Sequence, residues 1–368
     1  MDIVVKILWF VGGLVLLFFV LDSAVRTFLL PRGEAAFATR AVFSALRRVF
    51  TRLARLTRTY EARDRVMALY APICLFLLPL AWLILLLFAY AAMFHALGVR
   101  GFEKSFEMSG SSMFTLGFVR PPDFPTTVLA FFEAATGLTV LALLIAYLPT
   151  IYGAFSRREV LVSQLAVRAG EPPSGVEVLA RAKRMERFQL LDELWVSWQV
   201  WFAEVEETHT SLAVLSFFRS PRSDRSWVTA AGAVLDAASL RLSAVDLPFD
   251  PQAGFCLRGG TFALRAVAQY FDLPFDPDPG QTDQTSITED EFFDACDELV
   301  AAGIPVREDR DEAWQRFNGW RINYDQVLIG LAGLVMAPYA QWSSDRSLRY
   351  RRPEVRHHLG DRWHRSTE

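Results

Sequence analysis

The stretch from Ser105 to Pro125 reads SFEMSGSSMFTLGFVRPPDFP. Its chemistry lies in the main chain. Carbonyl oxygens ringed about an axis can replace the hydration shell of a cation. The run Thr115, Leu116, Gly117, Phe118 and Val119 is the candidate ion pathway. Gly117 suits it, because carbonyls aimed at one axis require φ/ψ values that a Cβ penalises. Arg120 follows, at what would be the outer mouth.

The side chains elsewhere offer less. Glu206 and His209 make one E-x-x-H, where a carboxylate-bridged di-iron site needs two. Asp276, Asp278 and Asp283 lack the spacing and terminal Glu of a calcium loop. Cys74, Cys256 and Cys296 lie far apart, which points to neither a disulfide framework nor a zinc site. There is no Gly-rich phosphate loop and no Ser–His–Asp order. No catalytic residue, metal-ligand set or bound cofactor is expected, and the chain does not read as an enzyme.

A polar main-chain site of this kind needs walls. Three segments are long enough to cross a bilayer, which takes roughly 20 apolar residues. They run over about Ile3–Leu30, Val66–Leu97 and Thr126–Tyr152. The first lacks the basic start of a signal peptide, and its apolar run is too long for one. The candidate segment falls between the second and third spans and is too short and polar to cross by itself. The expectation is a short helix over Ser105–Phe114 that descends into the membrane, with Thr115–Phe118 as its extended return. Irregular backbone at that depth is tolerated only inside protein or beside water.

Between Arg32 and Arg65 the first linker carries nine arginines, whereas the second holds only Arg100, Lys104 and Arg120. The positive-inside rule puts the first linker in the cytoplasm, the N-terminus outside, and everything after about residue 155 inside. Ala36 to Tyr60 reads as an amphipathic helix lying in the headgroup plane, with Phe43, Leu46, Phe50, Leu53 and Leu56 on its apolar side. Asp22 and Arg26, at i, i+4, read as an interfacial pair with Arg26 snorkelling. The net charge of −3 implies no nucleic-acid partner.

The remainder reads as a soluble all-α domain. Helical patterns cover a continuation of span three to Gly170, a long stretch to about Phe218, and roughly 226–245, 257–271, 288–303, 309–319 and 323–338. Ser174 with Glu177, and Thr288 with Glu291, match the capping-box spacing. Trp195, Trp198 and Trp201 form a stripe at i, i+3, i+6 that points to core packing. The apolar 323–338 helix, close to Asp325, reads as a core helix rather than a fourth span. The end of the chain, with His357, His358 and His364, reads as a solvated basic tail.

Span, short helix, TLGF and span resemble the pore module of tetrameric potassium channels over about residues 66–155. The family's filter reads T-x-G-Y/F-G followed by Asp; Thr115, Gly117 and Phe118 match, with Leu116 at the variable position. Glu133 and Gly137 in FFEAATGLTVLALLIAYL resemble the inner helix and its hinge glycine. Together with the spans and helical patterns above, the expectation is an all-α membrane protein with three transmembrane helices, a re-entrant pore loop and a cytoplasmic all-α domain. The chain divides into an N-terminal helix (1–31), a basic linker (32–65), a pore module (66–155), the cytoplasmic domain (156–345) and a basic tail (346–368). The resemblance covers the pore module. It implies a homotetramer in the cell membrane passing a monovalent cation, potassium by the family's habit. Gly137 and Pro149 would be gating hinges. Two residues depart from the pattern: Val119 replaces the second filter glycine and Arg120 the acid. A non-conducting or non-selective signalling scaffold on the same module is the alternative, and no cytoplasmic ligand is indicated.

Overall fold

The structure, a computed structural model, describes residues 2–28, 37–186, 188, 191–280 and 283–347. The last residues of the expected first span, Ala36 and the basic tail from residue 348 with its histidines lie outside the described residues. Among the described residues the chain is all-helical without strands; one antiparallel bridge joins Val245 and Val306. Three helical stretches are long and apolar enough to cross a membrane: Ile3–Thr27, Tyr60–Ala96 and Phe124–Ala169. The chain divides into two compact units, one of Met1–Arg157 with Glu207–Arg219, the other of Arg158–Glu206 with Ser220–Glu368.

In the first unit α1 (Ile3–Phe28) packs along α4 (Tyr70–Ala96). Gly13 makes the close approach, since a Cβ there would stand 2.5 Å from the Ala89 carbonyl oxygen. Trp82 Nε1 donates to Ser23 Oγ at 3.2 Å, which satisfies an indole that α4 buries. Ile3, Leu8 and Phe18 on the other side of α1 are exposed, as a lipid-facing surface requires. Asp22 and Arg26 pair at 2.8 Å.

The linker departs from the single helix expected over 36–60. Helix α2 (Phe37–Arg55) stops where Thr57 Oγ1 donates to the Ala54 carbonyl at 2.6 Å. Thr59 then adopts extended backbone and caps α3 (Tyr60–Ala68), accepting from the Ala62 N–H at 3.2 Å. Two threonine hydroxyls two residues apart, at Thr57 and Thr59, thus convert one amphipathic run into two helices.

The first unit also includes a 3-10 turn from much later in the chain, Ala213–Phe217. Val214 and Leu215 pack with Ala71 of α4 and with Ile151 and Ala154 of α6 (Phe124–Ala169). The Phe217 ring meets Tyr70 edge-on at 5.3 Å, and Arg219 pairs with Asp64 at 2.7 Å.

The second unit holds α7 (Gly175–Arg184), most of α8 (Leu191–Ser211), α9 (Trp227–Ser243), α10 (Pro251–Tyr270), α11 (Glu289–Ala301), α12 (Arg310–Arg321) and α13 (Asp325–Val335). Helix α9 is apolar on nearly every side and is buried accordingly. Trp195, Trp198 and Trp201 lie in the core around it, as does Leu328 of α13. The Thr288–Glu291 capping box forms. Ser174 makes no side-chain cap, and the Glu177 carboxylate pairs instead with Arg181 and Arg184 at 2.5 and 2.7 Å, so the expected capping box does not form. The expected continuous helix to Phe218 is broken after α7 and again after α8. Helix α10 begins at Pro251 rather than near 257, because Asp250 caps it by accepting from the Ala253 N–H.

Arg321 is wholly buried in this unit. It donates to Asp236, to Asp325 at 2.8 Å and to the Trp342 carbonyl at 2.5 Å. Burial alone works to lower its pKa, but the two carboxylates outweigh that and raise it, so the guanidinium stays charged.

Candidate functional site

Between α4 and α6 lies α5 (Phe102–Met113). Gly98 and Gly101, with φ of 106° and 85°, turn the chain back from α4 to start it. Its buried side is polar: Ser105, Ser109 and Ser111 are all enclosed. Ser109 Oγ lies 2.9 Å from the Leu87 carbonyl of α4, and it also contacts the Glu133 carboxyl of α6. One turn further along α6, Gly137 faces the end of α5. A Cβ at Gly137 would stand 2.8 Å from the Met113 carbonyl oxygen and 3.1 Å from Met113 Cγ. Tyr90 of α4 and Thr136 of α6 share a hydrogen bond at 3.0 Å.

The chain then turns, rather than running on extended as expected. Thr115 has φ 54° and Gly117 φ 70°. Left-handed backbone is ordinary for glycine, but for a β-branched residue it is an outlier of the kind that collects at functional sites. The amide groups explain the turn. Thr115 N–H donates to the Ser112 carbonyl at 3.1 Å, and Leu116 and Gly117 N–H both donate to the Ser111 carbonyl at 2.9 and 3.3 Å. Val119 N–H donates to Ser111 Oγ at 3.1 Å. The C-terminal turn of α5 thus draws the segment's N–H groups to itself. Among the described residues, the carbonyl oxygens of Thr115, Leu116, Gly117 and Phe118 accept no hydrogen bond.

The side chains of Leu116 and Phe118 stand 63% and 66% exposed in the single chain. Val119 packs partly against the core of the first unit, and its backbone is not left-handed. Arg120 is exposed, with no ion pair among the described residues. Pro149 lies within α6, which continues through it.

The other candidates do not assemble into a site. His209 is buried, and no group of carboxylates, histidines or cysteines suited to a metal occurs among the described residues. Asp276 and Asp283 accept from the N–H groups of Asp278 and Gly280, both at 2.9 Å, and so close local turns. Sequence reasoning missed Ser109 and Ser111, the side chains that organise the segment. Their signal was present: a serine-rich helix set between two apolar spans must bury hydroxyls, and buried hydroxyls take partners. No family model, no curated protein and no solved structure matches the chain.

Proposed function

We propose that the chain forms a homotetrameric, potassium-channel-like pore that passes monovalent cations. Residues 114–120 would re-enter the membrane at the axis. The observation that carries this reading is the division of labour in the segment. Its N–H groups turn back to α5, and four successive carbonyl oxygens are left without a partner.

Depth gives this division its meaning. Leu87, which meets Ser109, lies nine residues before the end of α4, about 14 Å along a helix. Gly137, which meets Met113, lies thirteen residues into α6, about 20 Å along it. The hydrocarbon core is about 30 Å thick, so with α4 and α6 spanning it the tip of α5 would fall near its middle. Lipid cannot satisfy carbonyls there, whereas water or a dehydrated cation can. A closed ring of copies also covers the exposed Leu116 and Phe118. The C-terminal end of α5 points at the segment, and the negative end of its dipole favours cations over anions. Arginine placement supports an orientation with the N-terminus outside and the second unit in the cytoplasm.

Arg120 and Val119 favour a second reading, a channel-derived scaffold that does not conduct. Val119 avoids the left-handed backbone of a second filter glycine, and four copies of Arg120 would repel cations. The two readings separate in one experiment. Purified protein is sized by native mass spectrometry and reconstituted in liposomes, and potassium, sodium and chloride fluxes are compared. A tetramer passing cations but not chloride supports the pore. A silent tetramer supports the scaffold, and a stable monomer or dimer removes both.

A further inference from the structure

Glu133 lies wholly buried on α6. One of its oxygens contacts Ser109 Oγ, and the other, Oε2, has no partner. No charged side chain acts on it among the described residues. The titratable group facing it from α4 is Tyr90, whose hydroxyl is engaged by Thr136. From α5 its hydrogen-bond contact among the described residues is Ser109.

Proton counting decides what this contact is. A serine hydroxyl carries a single hydrogen. Ser109 has two oxygens within reach, the Leu87 carbonyl at 2.9 Å and the nearer Glu133 carboxyl. If Glu133 is a carboxylate, both neighbours are acceptors, and Ser109 can serve only one. If Glu133 carries a proton on Oε1, each contact has its hydrogen: Glu133 donates to Ser109, and Ser109 donates to Leu87. The chain then runs unbroken from α6 through α5 to α4.

We propose that Glu133 is a proton-controlled positioning residue for the 114–120 segment, holding α5 between α4 and α6 through Ser109. Loss of its proton to solvent turns the Ser109 hydrogen from Leu87 to the carboxylate. It also leaves a charge buried with one oxygen unpartnered. An unpartnered buried charge is costly, and the relief open to it is movement of α5, whose last turn holds the segment's N–H groups. The protonated form is therefore the one that holds the carbonyl run in place. What the latch controls rests on the pore reading; the proton count does not.

The test uses the full-length protein in liposomes. Infrared spectra taken across a pH series should contain the carbonyl band of a protonated carboxylic acid that Glu133→Gln removes. Potassium flux should fall about tenfold or more as rising pH deprotonates Glu133, the scale of one buried charged group left unsatisfied. Glu133→Gln, whose amide donates to Ser109 at every pH, should conduct like the low-pH wild type and lose the pH dependence. Ser109→Ala should lose the pH dependence and conduct poorly. Absence of a Glu133-dependent acid band overturns the proposal, as does a Glu133→Gln variant that keeps the wild-type pH profile. If the band is present and every variant is silent, the proton latch stands and the pore reading falls.

Discussion

Replacing Gly137 by alanine is the most direct probe of how α6 supports the candidate segment. The added methyl would lie 2.8 Å from the Met113 carbonyl oxygen and 3.1 Å from Met113 Cγ. The second contact is soft, because a methionine side chain can swing away. The first is backbone, and it yields only if the last turn of α5 moves. Overpacking of this kind costs about 1–3 kcal/mol, which lowers the folded-to-unfolded ratio about 5- to 150-fold. That same turn holds the N–H groups of Thr115, Leu116, Gly117 and Val119, so cation flux should fall together with stability. The assay pairs thermal unfolding of the detergent-solubilised protein with liposome flux. Gly12→Ala is the control, since nothing lies within 4 Å of a Cβ there. Adding Met113→Ala should restore only the part owed to the side chain. Gly137→Ala with unchanged stability and unchanged flux would refute the close-approach argument. Changed open probability at unchanged stability would instead favour the hinge role implied by the family resemblance.

Other outcomes follow from the same geometry. In the proposed tetramer, four Arg120 charges at a low-dielectric mouth would repel cations, and salt would screen the exposed part. Wild-type flux should therefore rise with ionic strength beyond simple concentration scaling, and Val119→Gly with Arg120→Asp should raise potassium flux and its preference over sodium; a folded, tetrameric double mutant as silent as the wild type would count against the filter. Arg219→Ala strands Asp64, its partner at 2.7 Å in a nearly enclosed pair. Loss of about 3–5 kcal/mol is expected, read by denaturant unfolding, and reversal by Asp64→Asn would identify the stranded charge as the cause. Arg321→Met leaves Asp236 and Asp325 buried without their cation, and the second unit should unfold earlier on heating, by a similar free energy. A variant as stable as wild type would show that water reaches the two carboxylates.

Length and apolar content alone marked three helices long and apolar enough to cross a membrane, since roughly 20 apolar residues span its hydrocarbon core. Periodicity placed the helices of the second unit from α9 onward to within a few residues, except where a cap moved a start, as Asp250 did for α10, but it missed the breaks that end α7 and α8 before Phe218. The Trp195–Trp198–Trp201 stripe was readable as core because large apolar groups at helical spacing must face one another. The candidate carbonyl run was legible from composition, since a Gly-containing polar turn between two spans needs an unusual environment. Its actual shape was not. The left-handed Thr115 arises because α5 ends with carbonyl and hydroxyl acceptors at Ser111 and Ser112 that gather the following N–H groups. No local propensity encodes that for a β-branched residue.

Tertiary structure also decided which polar side chains matter. Glu133 and Ser109 are 24 residues apart, and neither type nor spacing shows that α4, α5 and α6 enclose them together. Arg321 and Asp236 are 85 apart and meet only because α9 and α12 pack. Residues 213–219 join the first unit across more than 140 residues of chain to Asp64 and Tyr70. The physical reason is common to all three. Period and capping act within one helix, over a few residues. A buried polar group must find its partner wherever packing brings one, and packing is settled by the whole chain at once.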